Sequence, residues 1–339
     1  MKKTLLYGVI ALVIGGFFFW LAARELPLDE VAQALDALVW GEIAPVLVAT
    51  FVLYSISHFA RVWRWYYLVK PIAEVDARTV AEISTVGFAA ILLFPMRLGE
   101  FVRPVLLARH TAVPMSAGLG TAVVERVMDG LVITGLLFLT LTLYSGDAST
   151  SSIMAGGIIS ASVFIPAFTV CLMAWFKREW TMRWVNAVAE KIPGGIGHKA
   201  AGMLDAFILG LKGVGNANTL GAFIGLSAVY WGFNALTMWC LASFGFGLEI
   251  GPLDALTMLC VLVVGIMIPA GPAMAGNFQF FVMLGAGLFV SLEQVGGRVG
   301  AFAAILHVLQ FSVIVLPALA VSALGANLGA WWRIPSEQE

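Results

Sequence analysis

The chain has 339 residues, of which 60% are hydrophobic and 12% are charged, and its formal net charge is −1 at pH 7. Soluble domains carry about 25% charged residues, so this composition excludes an ordinary soluble protein and indicates a polytopic membrane protein. Cys171, Cys240 and Cys260 stand singly inside apolar runs, which favours small core residues over disulfides or metal ligands.

Several apolar stretches are long enough to cross a bilayer, which takes about 20 residues. They are residues 5–23, 43–63, 128–144, 153–176, 220–244 and 299–324. The first follows Lys2 and Lys3 and has the general form of a signal peptide, but it is longer than the usual apolar region of about 7 to 15 residues. We therefore predict that it is retained as a first span.

Two further regions, residues 80–110 and 252–292, each contain two shorter apolar segments joined by a break rich in Pro and Gly. The interrupting residues are Pro95 and Gly99 in the first region, and Pro269, Gly271, Pro272, Gly276 and Asn277 in the second. Interrupted apolar segments in corresponding halves are typical of transporters. Each region is therefore predicted to form a re-entrant helical hairpin.

The positions of the basic residues orient this topology. Predicted loops 145–152 and 245–254 contain no Lys or Arg, whereas residues 177–212 carry several, which places that segment and both termini in the cytoplasm. Within it, residues 179–212 form an amphipathic inner-surface segment, because Trp180 and Trp184 lie opposite Arg183 at helical spacing. We expect an all-α membrane domain with about six full transmembrane helices and two opposed hairpins, in an inverted repeat of halves 1–145 and 153–326.

Charged residues follow the first break directly. Arg97, Glu100 and Arg103 come just after an apolar run, and an Arg or Glu near the bilayer centre costs roughly 2.5 to 3.5 kcal/mol, so such a cluster indicates function. Two guanidiniums suit bidentate capture of phosphate and exceed what Glu100 alone neutralises. We predict that Arg97 and Arg103 bind a lipid phosphate.

A second charged group lies at the start of the span 128–144. Glu125, Arg126 and Asp129 have the spacing of one helix face and can meet the first break in a polar pocket, orienting the arginines or accepting protons. The alternative is that these three residues form architectural ion pairs that lock the hairpin against this span. The sequence leaves both interpretations open.

Basic residues also end the second span. Arg61 and Arg64 share a helix face and could reach a lipid headgroup at the membrane interface, or they could be snorkelling anchors beside Trp63 and Trp65. In the second half, Asn277 is a candidate site residue at the break. Polar residues inside other apolar runs are interpreted as interhelical hydrogen-bonding groups, namely Asn234, His307 and Gln310.

The sequence lacks several common signatures of enzymes. The sequence contains no G-x-x-x-x-G-K-[ST], H-E-x-x-H or G-x-S-x-G motif, and its four histidines show no metal-ligand spacing. We therefore expect no cofactor and no nucleic-acid partner, with membrane lipids as the partners.

Several elements in order resemble a known family. They are Arg64-Trp65, the segment Phe94-Pro95-x-Arg97-x-Gly99-Glu100-x-x-Arg103-Pro104, Glu125-Arg126-x-x-Asp129, Ser227-x-x-x-Trp231 and the break at residues 269–278. In this set the chain resembles the lysylphosphatidylglycerol synthase transmembrane-region family, also described as flippase-like. It departs from that family's pattern where Gln279 and Asn234 stand in place of common acidic residues.

The resemblance implies translocation or binding of an anionic polar lipid, of phospholipid or polyprenyl phosphate type, by a passive or ion-coupled route. It further implies the inner membrane of a prokaryote and the lipid-handling part of the family rather than aminoacyl transfer. Two alternatives stay open. One is a membrane enzyme that acts on a lipid phosphate, and the other is a non-catalytic partner subunit of a separately encoded lipid-modifying enzyme.

Overall fold

The computed structural model describes residues 28–143, 149–190, 196–215, 217–268 and 272–324. Within these ranges the chain is helical and contains no strand, which confirms the predicted all-α class. The helices are α1 (Leu28–Asp36), α2 (Trp40–Val69), α3 (Ala77–Leu93), α4 (Val102–His110), α5 (Met115–Leu143), α6 (Ser149–Phe176), α7 (Arg178–Ala189), α8 (Ile196–Gly210), α9 (Ala217–Trp239), α10 (Pro252–Ile266), α11 (Asn277–Ala286) and α12 (Leu292–Leu324).

Within the described residues, four helical stretches are long and apolar enough to cross a membrane, namely Trp40–Val69, Gly157–Phe176, Ala217–Gly245 and Leu292–Ala323. They correspond to four of the predicted spans and establish an integral membrane protein. The predicted span 5–23 and both termini lie outside the described residues.

The predicted span 128–144 needs a correction. It is the second half of α5, which begins at Met115 directly after Pro114, where a residue without an N–H is tolerated at a helix start. Glu125, Arg126 and Asp129 consequently lie in the interior of a long helix, and not at the start of a span. Their carboxylates and guanidinium are presented to the neighbouring helices.

The first break separates α3 from α4. Asp76 begins α3 by accepting a hydrogen bond from the Thr79 backbone N–H at 2.9 Å, and this bond lowers the pKa of the exposed Asp76 carboxyl. Pro95 ends the helix because the residue before a proline is driven to extended backbone, as Phe94 is, with φ −83° and ψ 135°. A 3-10 turn, Pro95–Phe101, leads into α4. Gly99 is required in it, because an added Cβ would collide with the Ala90 backbone.

The second break separates α10 from α11. Pro269 and Gly271 lie outside the described residues, while Pro272 begins a 3-10 turn, Pro272–Met274. The backbone is left-handed at Ala273, Met274 and Gly276, with φ of 57°, 56° and 80°. Both interrupted regions thus consist of two helices on either side of a break. The first break contacts the second region, because the Arg97 Nη1 donates to the Ile266 carbonyl at the end of α10, at 2.8 Å.

Helices α2 and α9 pack side by side at the centre of the bundle. The Asn234 side-chain amide donates to the Ser57 hydroxyl at 2.9 Å, and this hydroxyl donates to the Tyr230 carbonyl at 2.8 Å. This confirms Asn234 as an interhelical hydrogen-bonding group. On the amphipathic segment, α7 exposes Trp180 and Trp184, whose ring centroids are 6.2 Å apart.

Candidate functional site

A chain of buried ion pairs joins α2, α4 and α5. Arg64 donates to both carboxylate oxygens of Asp129 at 2.7 Å and to the Glu125 Oε1 at 3.0 Å. Its Nη1 also donates to the Ser227 hydroxyl of α9 at 3.1 Å. The other Glu125 oxygen accepts from the Arg103 Nη1 at 2.6 Å. Arg64, Arg103 and Glu125 have no exposed side-chain surface.

Arg64 was predicted to lie at the membrane interface, but its side chain is fully buried inside the helix bundle. Two carboxylates one helical turn apart on α5 face Arg64, and ion pairing is stronger away from water, so the guanidinium points into the bundle. Trp65, predicted as a possible anchor beside it, is also fully buried and donates from its indole N–H to the Thr121 hydroxyl at 3.0 Å. Arg64 therefore acts as a bridge between helices, with its Nη groups occupied by protein acceptors.

Arg103, which was predicted to bind a phosphate, is buried against Glu125 and two aromatic rings. Its stem packs on Gly87, where an added Cβ would collide with it, and its guanidinium lies over the rings of Phe88 and Trp65, at 4.5 and 5.0 Å. It does not line the cavity described below. Because its charge is matched by Glu125, the Arg103 pair supports the architectural interpretation of this part of the cluster.

Arg97 occupies the first break with a left-handed backbone, φ 55°. Its Nε donates to the Glu100 Oε1 at 3.0 Å, and its Nη2 lies 2.8 Å from the same oxygen. About a fifth of its side chain is exposed, at 19%. Arg97 thus neutralises Glu100 and still faces open space.

Arg61 and Arg126 are the arginines of this cluster that donate no hydrogen bond to a carboxylate of the described residues. Arg61 forms no salt bridge with a described residue, and its guanidinium stacks on Phe88 at 4.0 Å, with the Tyr230 ring at 5.4 Å. Arg126 lies 3.4 Å from Glu125 and 3.8 Å from Asp129 at its closest. The Nε of Arg61 and both Nε and Nη2 of Arg126 have no hydrogen-bond partner in the described part of the chain.

These arginines surround a cavity of about 100 Å³ between the two breaks, here called the arginine cavity. Its polar lining comprises Arg61, Arg97, Arg126 and Asp129, and its remaining walls include Phe88, Tyr230, Trp231 and Met274. A water molecule occupies about 30 Å³ in the liquid, so the space admits several waters or one small anionic group.

The cluster as a whole carries more positive than negative charge. Its five guanidiniums are Arg61, Arg64, Arg97, Arg103 and Arg126, and its three carboxylates are Glu100, Glu125 and Asp129. The cluster thus has an excess of two positive charges, and three of its guanidiniums, Arg61, Arg97 and Arg126, line the arginine cavity. Arg103 also has two nitrogens without a hydrogen-bond partner among the described residues, Nε and Nη2, but it lies outside this cavity. An unmatched charge at membrane depth is costly, so the arrangement is complementary to an anion.

Most polar groups of the second break are instead paired within the protein, although the buried Asn277 Oδ1 has no hydrogen-bond partner among the described residues. Gln279 accepts from the Gly276 backbone N–H at 2.9 Å, and its amide nitrogen lies 2.9 Å from the His307 Nδ1. The His307 Nε2 is 2.8 Å from the Ala273 carbonyl. His307 is thereby confirmed as a hydrogen-bonding group between helices. Asn277 is buried against the end of α10, with its amide nitrogen 3.3 Å from the Gly265 carbonyl, and it does not line the arginine cavity.

Sequence reasoning missed the aromatic walls of the site. Phe88 and Tyr230 hold the Arg61 guanidinium, yet each stands in an apolar helix where an aromatic residue signals packing only. The described residues include no group of His, Cys, Asp or Glu placed to hold a metal ion.

Comparison with known proteins gives two matches. Residues 8–318 match the family described as the lysylphosphatidylglycerol synthase TM region. One curated relative, named Glycosyltransferase AglD, from Haloferax volcanii, is 27% identical over 182 residues, which cover 51% of this chain and 27% of the relative. The chain thus spans about a quarter of that relative's length. No solved structure matches the chain significantly.

Proposed function

This chain belongs to the lysylphosphatidylglycerol synthase transmembrane-region family, and from that premise we propose that it binds and translocates an anionic polar lipid of phospholipid or polyprenyl phosphate type. The lipid phosphate is held in the arginine cavity by Arg61 and Arg126, with Arg97 completing the site. Movement is passive or ion-coupled. The chief support is the excess of two guanidiniums over carboxylates around this cavity.

The chemistry of a phosphate suits this arrangement. It offers several anionic acceptor oxygens, and guanidiniums bind such groups through paired N–H donors. Arg61 is held flat by Phe88 and Tyr230, so less freedom is lost when it binds. Arg64 and Arg103 form the shortest ion pairs with Asp129 and Glu125, whereas Arg126 lies farther from both carboxylates, at 3.8 and 3.4 Å, and is only partly neutralised by them.

Binding and flipping assays with single-arginine variants test this function. We expect Arg61→Gln and Arg126→Gln each to weaken binding of a fluorescent phosphatidic acid at least tenfold, because one charged hydrogen bond contributes about 1.5 to 3 kcal/mol. Flipping of the same lipid in proteoliposomes, followed by dithionite quenching, should fall in parallel. Zwitterionic phosphatidylcholine serves as the comparison lipid.

Arg78→Gln is the matched control, because Arg78 is an arginine with an 85% exposed side chain that pairs only with Glu82 on the surface. Its binding and flipping should equal those of the unmodified protein. Equal binding in Arg61→Gln, Arg126→Gln and Arg78→Gln would overturn the assigned site. Loss of binding with unchanged flipping would separate binding from transport.

A second candidate is a non-catalytic membrane subunit that presents a lipid to a modifying enzyme. It is favoured by the Haloferax volcanii relative, because the match covers only 27% of a protein that is named a glycosyltransferase. Co-purification with a soluble transferase, and mass spectrometry that finds a modified lipid only when both are present, would support it. Flipping by the purified chain alone would favour transport.

A further inference from the structure

A second space, here called the apolar groove, lies on the other side of Trp231 from the arginine cavity. It has a volume of about 440 Å³ and is walled by α5, α9 and α10. Its lining is almost wholly apolar and includes Met128 and Leu136 of α5, Ala228 and Gly232 of α9, and Leu256 of α10. The proposed function does not use this groove.

The length of the groove suits a hydrocarbon chain. Its lining on α9 runs from Phe223 to Trp239, which at 1.5 Å per residue is about 24 Å, longer than one leaflet of a hydrocarbon core about 30 Å thick.

The groove and the arginine cavity share their walls. Trp231 lines both, and its indole N–H is buried, at 4% exposure of the residue, with no hydrogen-bond partner in the described ranges. Ser227, which accepts from Arg64, also lines the groove. A buried N–H without an acceptor costs free energy. An oxygen that joins a phosphate to a hydrocarbon chain would supply the missing acceptor.

We propose that the apolar groove holds a hydrocarbon chain of the lipid whose phosphate occupies the arginine cavity, with the Trp231 N–H donating to the oxygen that joins them. This inference rests on the proposed function, because it takes the phosphate position from it. The chain is either isoprenoid or acyl.

Two glycines of α9 give a matched test. An added Cβ at Gly232 or at Gly225 meets nothing within 4 Å, so both positions have open space for a larger side chain. Gly232 lines the apolar groove and Gly225 does not. Gly232→Leu therefore fills the groove, and Gly225→Leu controls for the change in helix propensity and surface.

The experiment uses the full chain in nanodiscs of phosphatidylcholine and measures equilibrium binding of tritiated geranylgeranyl phosphate. Lysophosphatidic acid, dioleoyl phosphatidic acid and glycerol 3-phosphate are competitors with one acyl chain, two acyl chains and no chain. We expect Gly232→Leu to weaken binding of the single-chain probes about tenfold, the effect of leaving two methylene groups unburied. Gly225→Leu should stay within about twofold of the unmodified protein, since its side chain lies outside the groove.

Each outcome bears on one proposal. Equal binding by Gly232→Leu and Gly225→Leu, or competition by glycerol 3-phosphate as strong as that by lysophosphatidic acid, overturns the groove assignment. If Arg61→Gln leaves binding unchanged while Gly232→Leu weakens it, the phosphate site fails and the groove stands. Tighter binding of geranylgeranyl phosphate than of lysophosphatidic acid assigns an isoprenoid chain, and the reverse assigns an acyl chain.

Discussion

The two breaks have the same backbone plan but opposite electrostatics. Each joins two short helices through a 3-10 turn with left-handed residues, at Arg97 in the first and at Ala273 and Met274 in the second. The first break presents guanidiniums, whereas the second satisfies its freed backbone groups through Gln279 and His307. The comparison teaches that an interrupted helix does not by itself make a binding site. Surplus donors directed at a cavity distinguish the first break.

The largest effect is expected at the carboxylate behind the first break. Glu125→Gln leaves Arg64 and Arg103 with one negative charge fewer in a site without solvent access. Breaking a buried ion pair costs about 3 to 5 kcal/mol, so the free energy of unfolding in detergent should fall by that amount.

Glu82→Gln is the control for that loss, since Glu82 pairs with exposed Arg78 one turn away. Such surface pairs contribute about 0 to 1 kcal/mol. Equal stability of Glu125→Gln and Glu82→Gln would show that the buried chain of ion pairs is not what holds α2, α4 and α5 together.

A smaller effect is expected in the second break. His307→Phe keeps an aromatic ring stacked on Phe278, now 4.5 Å from the His307 ring, but removes the contacts with Gln279 and with the Ala273 carbonyl. Leaving such groups unsatisfied costs about 1 to 3 kcal/mol in the free energy of unfolding.

Binding of phosphatidic acid by folded His307→Phe should match that of the unmodified protein, as measured by fluorescence titration. A loss of affinity as large as that of Arg61→Gln would remove the functional difference between the two breaks.

The smallest effect on stability is expected at Arg61, and it has the opposite sign. Arg61→Met removes a positive charge that has no salt bridge to a described residue while it retains contact with Phe88. Replacing a functional but unsatisfied group commonly raises stability by about 0.5 to 2 kcal/mol, so the ligand-free protein should unfold at a higher temperature while lipid binding falls. A lower unfolding temperature would show that the protein itself neutralises Arg61.

Local features of the sequence predicted much of this architecture. Hydrophobic runs predicted the helices, and Pro95 predicted the first break because it restricts Phe94 whatever surrounds it. The spacing of Glu125 and Asp129 predicted that both face one groove, and both are buried there. These inferences hold because helix periodicity and proline geometry act within a few residues.

The tertiary structure alone decided which arginine meets which carboxylate. Arg64 and Asp129 are 65 positions apart in the sequence, yet they form the tightest bidentate pair of the cluster, and Arg61, one turn from Arg64, lines the cavity instead. Several arginines and carboxylates at membrane depth can form ion pairs in many combinations, and the local sequence does not distinguish between them. Helix packing selects one of them, because burial makes each ion pair depend on the full set of neighbours that replace water.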